Sequence, residues 1–259
     1  MLSSDITSLI LTYNEAPNIR RTLQSLTWAK SIVVIDSFST DETLEILHCY
    51  SQVQVFQRQF DSFASQCNYG LAKIASEWVL SLDADYVLTD ELINEIKTLP
   101  IESDADSYSV RFKYCIFGKP LRGTLLPPRK VLYKKQKAIY KDDGHAHRVW
   151  VGGKSSMLSG YIHHDDRKPL SRWLWAQDRY MVIEAKKILE TTENELSFSD
   201  RIRKQKILAP LIILVYCLIL KGGILDGWHG WYYALQRVLA EILLAIRLLE
   251  LEKLEQTNM

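Results

Sequence analysis

Through the first hundred residues, apolar positions alternate between two rhythms. SLILTYN (8–14), SIVVIDS (31–37), VQVFQRQF (53–60) and EWVLSLDAD (77–85) are short β-rich runs and read as strands. The stretches between them carry apolar residues at helical spacing, such as Ile19, Leu23 and Leu26 in EAPNIRRTLQSLTWA (15–29). STDETLEILHCY (39–50) predicts a helix opened by Ser39 or Thr40, with acids in its first turn. SFASQCNYGLAKIAS (62–76) predicts another, and TDELINEIKTL (89–99) a third, capped by Thr89 or Asp90. Strand and helix alternating in this way predict an α/β fold with a mostly parallel, doubly wound sheet. Ligand sites in such sheets lie at the carboxyl ends of the strands. Asn14, Asp36, Asp83 and Asp85 all fall there.

After residue 100 the alternation stops. DSYSVRFKYCIFG (106–118) and RKVLYKKQKAIY (129–140) read as antiparallel strands, with GTLLPPR a loop between them. Residues 142–166 are β-like with glycine turns, and a helix is expected over roughly 170–190. A parallel half followed by a mixed half predicts a nucleotide-binding half (1–105) and an acceptor-binding half (106–195). Residues 196–259 form a third segment of apolar helices. ILAPLIILVYCLIL (207–220) lies uncharged between Lys206 and Lys221. As a helix it spans about 21 Å, short of a bilayer core of about 30 Å, and Pro210 interrupts it. The apolar helix that follows carries Arg237, Glu241 and Arg247 within its run. Trp228, Trp231, Tyr232 and Tyr233 resemble an interfacial belt, and Arg201, Arg203, Lys204 and Lys206 precede the first apolar run. These features predict attachment to a membrane surface. A buried hairpin or a homo-oligomer interface is the alternative.

The net charge of +1 gives no global reason to expect nucleic acid as a partner. Cys49, Cys67, Cys115 and Cys217 form no C-x-x-C pair, which fits reduced thiols in a cytoplasmic protein. The polar N-terminus lacks the basic region of a signal peptide. Asp83-Ala84-Asp85 at the end of an apolar run has two chemical readings. It can hold a divalent cation that carries a nucleotide diphosphate. It can also act as nucleophile (Asp83) and acid/base (Asp85), since LDADYVL fits the haloacid-dehalogenase phosphatase pattern. The third possibility is a solvated turn. A zinc site from His145, His147, His163 and Asp165 has suitable ligand types but would leave the D-x-D idle.

LILTYNEAPNI, VVIDSFSTDET, CNYGLAKIASEWVLSLDAD and KGGILDGWHGW, in this order, resemble glycosyltransferase family 2 with the GT-A fold. The nearest resemblance is to the branch that includes lipopolysaccharide-core β-glucosyltransferases. It implies an inverting transfer from a nucleotide-sugar donor, with UDP the expected nucleotide. The implied acceptor is a lipid-linked or cell-envelope glycan, and the implied setting the inner face of the cell membrane. The cofactor implied is Mn²⁺ or Mg²⁺, held by Asp85, with Asp83 facing the ribose or a metal-bound water. Thr12, Tyr13, Asn14 and Glu15 match the family's first-strand donor motif, and Asp36 its second-strand acid. Asn68 matches a polar position in the helix before the D-x-D strand. Arg129 is assigned to phosphate or acceptor, and His163 to diphosphate or metal. An inverting transfer also needs a base for the acceptor hydroxyl. The candidates are Asp143 and His147, with Asp142 and His145 behind them. The chain departs from the family pattern at Cys67, Tyr86 and His147, which leaves a sugar-nucleotide-binding module without turnover as a further reading.

Overall fold

The structure is a computed structural model that describes residues 5–100, 103–143 and 146–257, without the side chains of 142–148 and 255–257. It divides into two compact units: Met1–Pro120 with Leu125–Arg167, and Leu121–Thr124 with Lys168–Met259. The boundary after Arg167 differs from the divisions at 105 and 195 drawn from the sequence.

The first unit begins with β1 (Ile6–Thr12), α1 (Ile19–Gln24), β2 (Ile32–Asp36), α2 (Thr43–His48), β3 (Val53–Gln57), α3 (Phe63–Lys73) and β4 (Trp78–Asp83). It continues through β5 (Tyr86–Leu88), α4 (Asp90–Thr98), β6 (Ser107–Ile116), β7 (Lys119–Pro120), β8 (Arg129–Lys134), β9 (Ala138–Asp143), β10 (Ala146–Val151) and β11 (Ser155–His164). Among the described residues, one nine-stranded sheet runs β3-β2-β1-β4-β8-β6-β11-β5, with β7 beside β6. The first four strands in that order are parallel. β8 is antiparallel to both β4 and β6, and β6 and β11 are parallel. β9 and β10 form a separate antiparallel ribbon.

Strand alternation explains the two-sided core. Ile32 and Val34 of β2 face α1, α2 and α4 in one cluster with Leu23, Leu47 and Leu92. Val33 and Ile35 face the other way, into a cluster with Ala64, Cys67 and Leu71 of α3. Burial on both faces is why β1 and β2 are near-continuous apolar runs. α3 lies close against the sheet: a Cβ at Gly70 would stand 2.4 Å from a methyl of Leu9. The predicted Thr89 cap forms, accepting from the Leu92 N–H, and Ser62 caps α3 by accepting from the Ser65 N–H. The second helix starts later than predicted, at Thr43, because Ser39, Thr40 and Asp41 bond to other segments.

In the second unit, α5 (Leu170–Glu190), α6 (Phe198–Lys204) and α7 (Leu208–Val215) lead to a π-helical turn at Tyr216–Leu220. A 3-10 turn at Gly223–Asp226 then leads into α8 (Trp228–Thr257). Ala185 and Ile188 of α5 pack on Leu244 and Leu248 of α8. The charges inside the α8 run have partners. Glu241 pairs with Arg203, Arg247 with Asp178, and Arg237 lies over the rings of Trp173 and Tyr233. No helix among the described residues is long and apolar enough to cross a membrane.

Candidate functional site

The Asp83–Asp85 loop is held at each residue. Thr22 of α1 donates its hydroxyl to the Ala84 carbonyl (2.6 Å), and the Asp165 N–H donates to the Asp85 carbonyl (3.0 Å). Nε2 of His164 lies 3.0 Å from Oδ2 of Asp85. The other oxygen, Oδ1, is buried with no hydrogen-bond partner. A buried carboxylate oxygen left this way costs free energy unless something else binds it. Burial disfavours the charged His164 ring, but the Asp85 carboxylate, with Asp83 and Asp166, outweighs it, and the pKa is raised. The ring lies against Tyr86 and Tyr114, with centroids 5.3 and 4.8 Å away.

Tyr86 stands between Asp83 and Arg129. The buried Tyr86 hydroxyl lies near the Asp83 carboxylate, and Nη1 of Arg129 is 3.4 Å from that hydroxyl. Burial, then the Asp83 charge, raises the Tyr86 pKa well above the usual tyrosine value, so the phenol stays protonated as a donor. The sequence departure at position 86 thus places a neutral hydroxyl between an acid and a guanidinium.

Behind this loop, Asp165 accepts from Nε and Nη2 of Arg167 (2.8 Å each) and from the Gly118 N–H (3.2 Å). Its Oδ2 is 3.3 Å from Nε of Arg21. The buried Asn18 accepts from Arg21 and the Arg167 N–H, and donates to Glu15 and Asp166. Gly118 has φ 84°, and a Cβ there would meet the Arg167 guanidinium at 2.3 Å, so the clasp favours glycine on both counts.

The first-strand residues gather around the loop after β2. Thr12 donates to Asp36 (2.9 Å), and Asp36 also accepts from the Ser39 N–H (2.9 Å) and Gln57 (3.3 Å). Asn14 takes φ 56°, its N–H donating to Ser39 and its side-chain oxygen accepting from the Thr40 N–H. The Glu15 N–H donates to Thr43, while Tyr13 is exposed at the strand end. Asp36 is fully buried, so its observed work is to shape this loop. Asn68 lies apart from both groups. Its amide donates to the Tyr140 carbonyl and accepts from the Tyr140 N–H, pinning β9 to α3.

His163, assigned to diphosphate or metal, does not stand beside Asp85: strand alternation turns it away and leaves His164 there. His163 faces Lys113 and Glu91, and burial, followed by Lys113, lowers its pKa. The proposed zinc partner Asp165 is engaged by two arginines. The His145 position lies outside the described residues. Asp142, Asp143 and His147 stand in the β9–β10 ribbon, His147 opposite Asp142, and their side chains lie outside the described residues. Among the described residues, no group of three or more His, Cys, Asp or Glu could hold a metal ion by itself. The residues not anticipated are Asn18, Arg21, Thr22, Tyr86, His164 and Arg167. A signal for His164 was present, since Leu158, Gly160 and Ile162 set the inward phase of β11. A separate open groove of about 700 Å³, lined by Gln24, Trp28, Asp90, Asn94 and Lys97, shares Arg21 but neither Asp83 nor Asp85.

The family model described as Glycosyl transferase family 2 matches residues 7–158, more than half of the chain. The chain belongs to glycosyl transferase family 2. That span includes the β1 and β2 ends and the Asp83–Asp85 loop of this family 2 chain. It is 30% identical over 109 residues to an uncharacterized glycosyltransferase of Rickettsia bellii, covering 42% of this chain and 37% of the relative. It is 28% identical over 127 residues to the poly-beta-1,6-N-acetyl-D-glucosamine synthase of Staphylococcus epidermidis, covering 44% and 31%. The matches thus span about a third of the length of these curated relatives. Among solved structures, S. aureus TarS 1–349 in complex with UDP-GlcNAc has a TM-score of 0.51 at 17% identity. That match covers 99% of this chain and 93% of TarS 1–349. The likeness establishes the GT-A fold expected from the sequence. Family membership, with the D-x-D closing the fourth strand and not the first, leaves the phosphatase reading without support.

Proposed function

We propose that the chain transfers a sugar, with inversion, from a UDP-linked donor to a lipid-linked or cell-envelope glycan at the inner face of the cell membrane. The observation that carries this reading is the buried, unpartnered Oδ1 of Asp85 on a loop anchored by Thr22, His164 and the Asp165 N–H. The residues present fit Mn²⁺ or Mg²⁺, hard ions that take oxygen ligands and leave positions for phosphate and water. Asp85 would hold the ion, with Asp83 beside it. When bound, the ion offsets the charge of the departing diphosphate. His164 fixes the Asp85 carboxylate from the side away from Oδ1. Tyr86 lies beside Asp83, and the exposed Arg129, bonded to the Tyr86 hydroxyl, offers a further cation to the donor phosphates. Thr12, Tyr13, Asn14, Glu15 and Asp36 form the nucleoside side of the site. A base from the β9–β10 ribbon, Asp143 or His147, takes the acceptor hydroxyl's proton as that oxygen attacks the anomeric carbon opposite the diphosphate. The UDP assignment is supported by the UDP-GlcNAc bound to TarS and by the synthase name of the S. epidermidis relative. The exposed apolar residues of α7 and α8 support membrane docking without a span. The lipopolysaccharide-core branch remains the preferred setting for the acceptor.

Transfer tests this directly. The full chain, a panel of radiolabelled UDP-hexoses and UDP-N-acetylhexosamines, Mn²⁺ and a membrane extract are expected to give labelled glycolipid in the β configuration. UDP binding without transfer to any acceptor would instead favour a binding module.

A further inference from the structure

We propose that Phe38 is a stacking platform for the nucleobase of the donor, and that the base is held there by its ring face and not by Asp36. This rests on the donor site proposed above and names the residue that grips the nucleoside. Asp36 cannot do so from its place in the fold. Its side chain is fully buried at the end of β2. One oxygen accepts from the Thr12 and Ser39 hydroxyls, the other from the Ser39 N–H and Gln57. A carboxylate has about four acceptor positions, so none is left for a base edge.

Phe38, two residues on, is the reverse case. It is 51% exposed and makes no ring contact among the described residues. Its φ of 60° is left-handed, a region that disfavours any residue with a Cβ and that loops usually give to glycine. The backbone on either side is fixed. The Ser37 N–H donates to the Thr12 carbonyl (2.9 Å), the Ser39 hydroxyl accepts the Asn14 N–H, and the Asn14 side chain accepts the Thr40 N–H. The loop thus holds a large apolar ring in solvent, on a strained backbone that its neighbours keep in place. Strain maintained in this way gathers at ligand clamps. Phe38 follows the carboxyl end of a parallel strand, where α/β sheets bind their ligands. Tyr13, 43% exposed, follows the end of the neighbouring strand, one strand spacing of about 5 Å away. An exposed ring gives a base a face to stack on whatever its hydrogen-bonding edge, and such stacking strengthens binding. A loop that served folding alone would be better met by glycine at this φ.

Calorimetric titration of the full chain with Mn²⁺ and either UDP or inorganic pyrophosphate tests the proposal. The two ligands share the diphosphate, so their difference reports the nucleoside. Phe38→Gly is expected to weaken UDP binding about tenfold or more, with pyrophosphate within about twofold of the unaltered chain. Its melting temperature should hold or rise, because glycine suits the left-handed backbone. Phe38→Tyr keeps a ring and should bind UDP within about threefold of the unaltered chain. Phe38→Leu, apolar but without a π face, should behave as the glycine variant does. Unchanged UDP affinity in Phe38→Gly, or full affinity in Phe38→Leu, would overturn this inference and leave the donor site standing. Equal weakening of UDP and pyrophosphate with a lower melting temperature would make Phe38 a support of the loop, and would overturn it too. Absence of UDP binding by the unaltered chain would overturn the donor-site reading as well.

Discussion

Asp85→Ala is expected to lower sugar transfer by about 10³-fold or more, with the fold retained. The rate estimate follows from a cation contribution of several kcal/mol to charge stabilisation, at about 1.4 kcal/mol per decade. The expectation for the fold comes from what the carboxylate does in the free protein. One oxygen meets His164 and the other meets nothing, so truncation removes a single side-chain hydrogen bond while the Asp165 contact to the Asp85 carbonyl remains. Steady-state transfer and a thermal melt on one preparation check both halves. A large loss of melting temperature with residual transfer intact would mean that Asp85 is a structural anchor.

Asp165→Ala should do the reverse, damaging the fold first and the site as a consequence. The near-buried carboxylate ties Arg21, Arg167 and the Gly118 N–H into one clasp, and its own backbone N–H supports Asp85. Removing it leaves two guanidinium groups without that partner. Both retain some solvent, so the expected cost is about 2–3 kcal/mol, below that for a wholly buried pair. In a chain of this size the melting temperature should fall by about 5–10 °C. UDP affinity should fall too, because the Asp83–Asp85 loop loses its backing. Differential scanning calorimetry with nucleotide titration would test this, and an unchanged melting temperature would show the clasp to be incidental.

The parallel half of the fold was legible because β1, β2 and β4 are buried on both faces and each helix has a separate apolar stripe. Where local chemistry served tertiary contacts, the sequence misled. Ser39 and Thr40 look like caps, yet they bond to Asn14 and Asp36, and the helix waits until Thr43. The three-residue β5 went unseen because it lies directly behind the D-x-D turn and pairs with β11, far away in sequence. The continuous run 129–140 is broken by a 3-10 turn at Lys135–Lys137, and the apolar run 207–220 changes from α to π helix at Tyr216. In the candidate site, the place of the D-x-D at a strand end was readable from the sequence, its chemistry was not. The choice between His163 and His164 depended on the phase of a strand, where one residue reverses the face. The clasp of Asn18, Arg21, Asp165 and Arg167 joins α1 to the end of β11, a pairing without a local signal.

The most direct test of a metal-assisted UDP-sugar site at Asp83 and Asp85 is calorimetric titration of the full chain with UDP, GDP and ADP, each with and without Mn²⁺. The account predicts binding of UDP that requires Mn²⁺, weak or no binding of the other two, and loss of the UDP signal in Asp85→Ala. UDP binding that is equally strong without the ion and in that variant would contradict it.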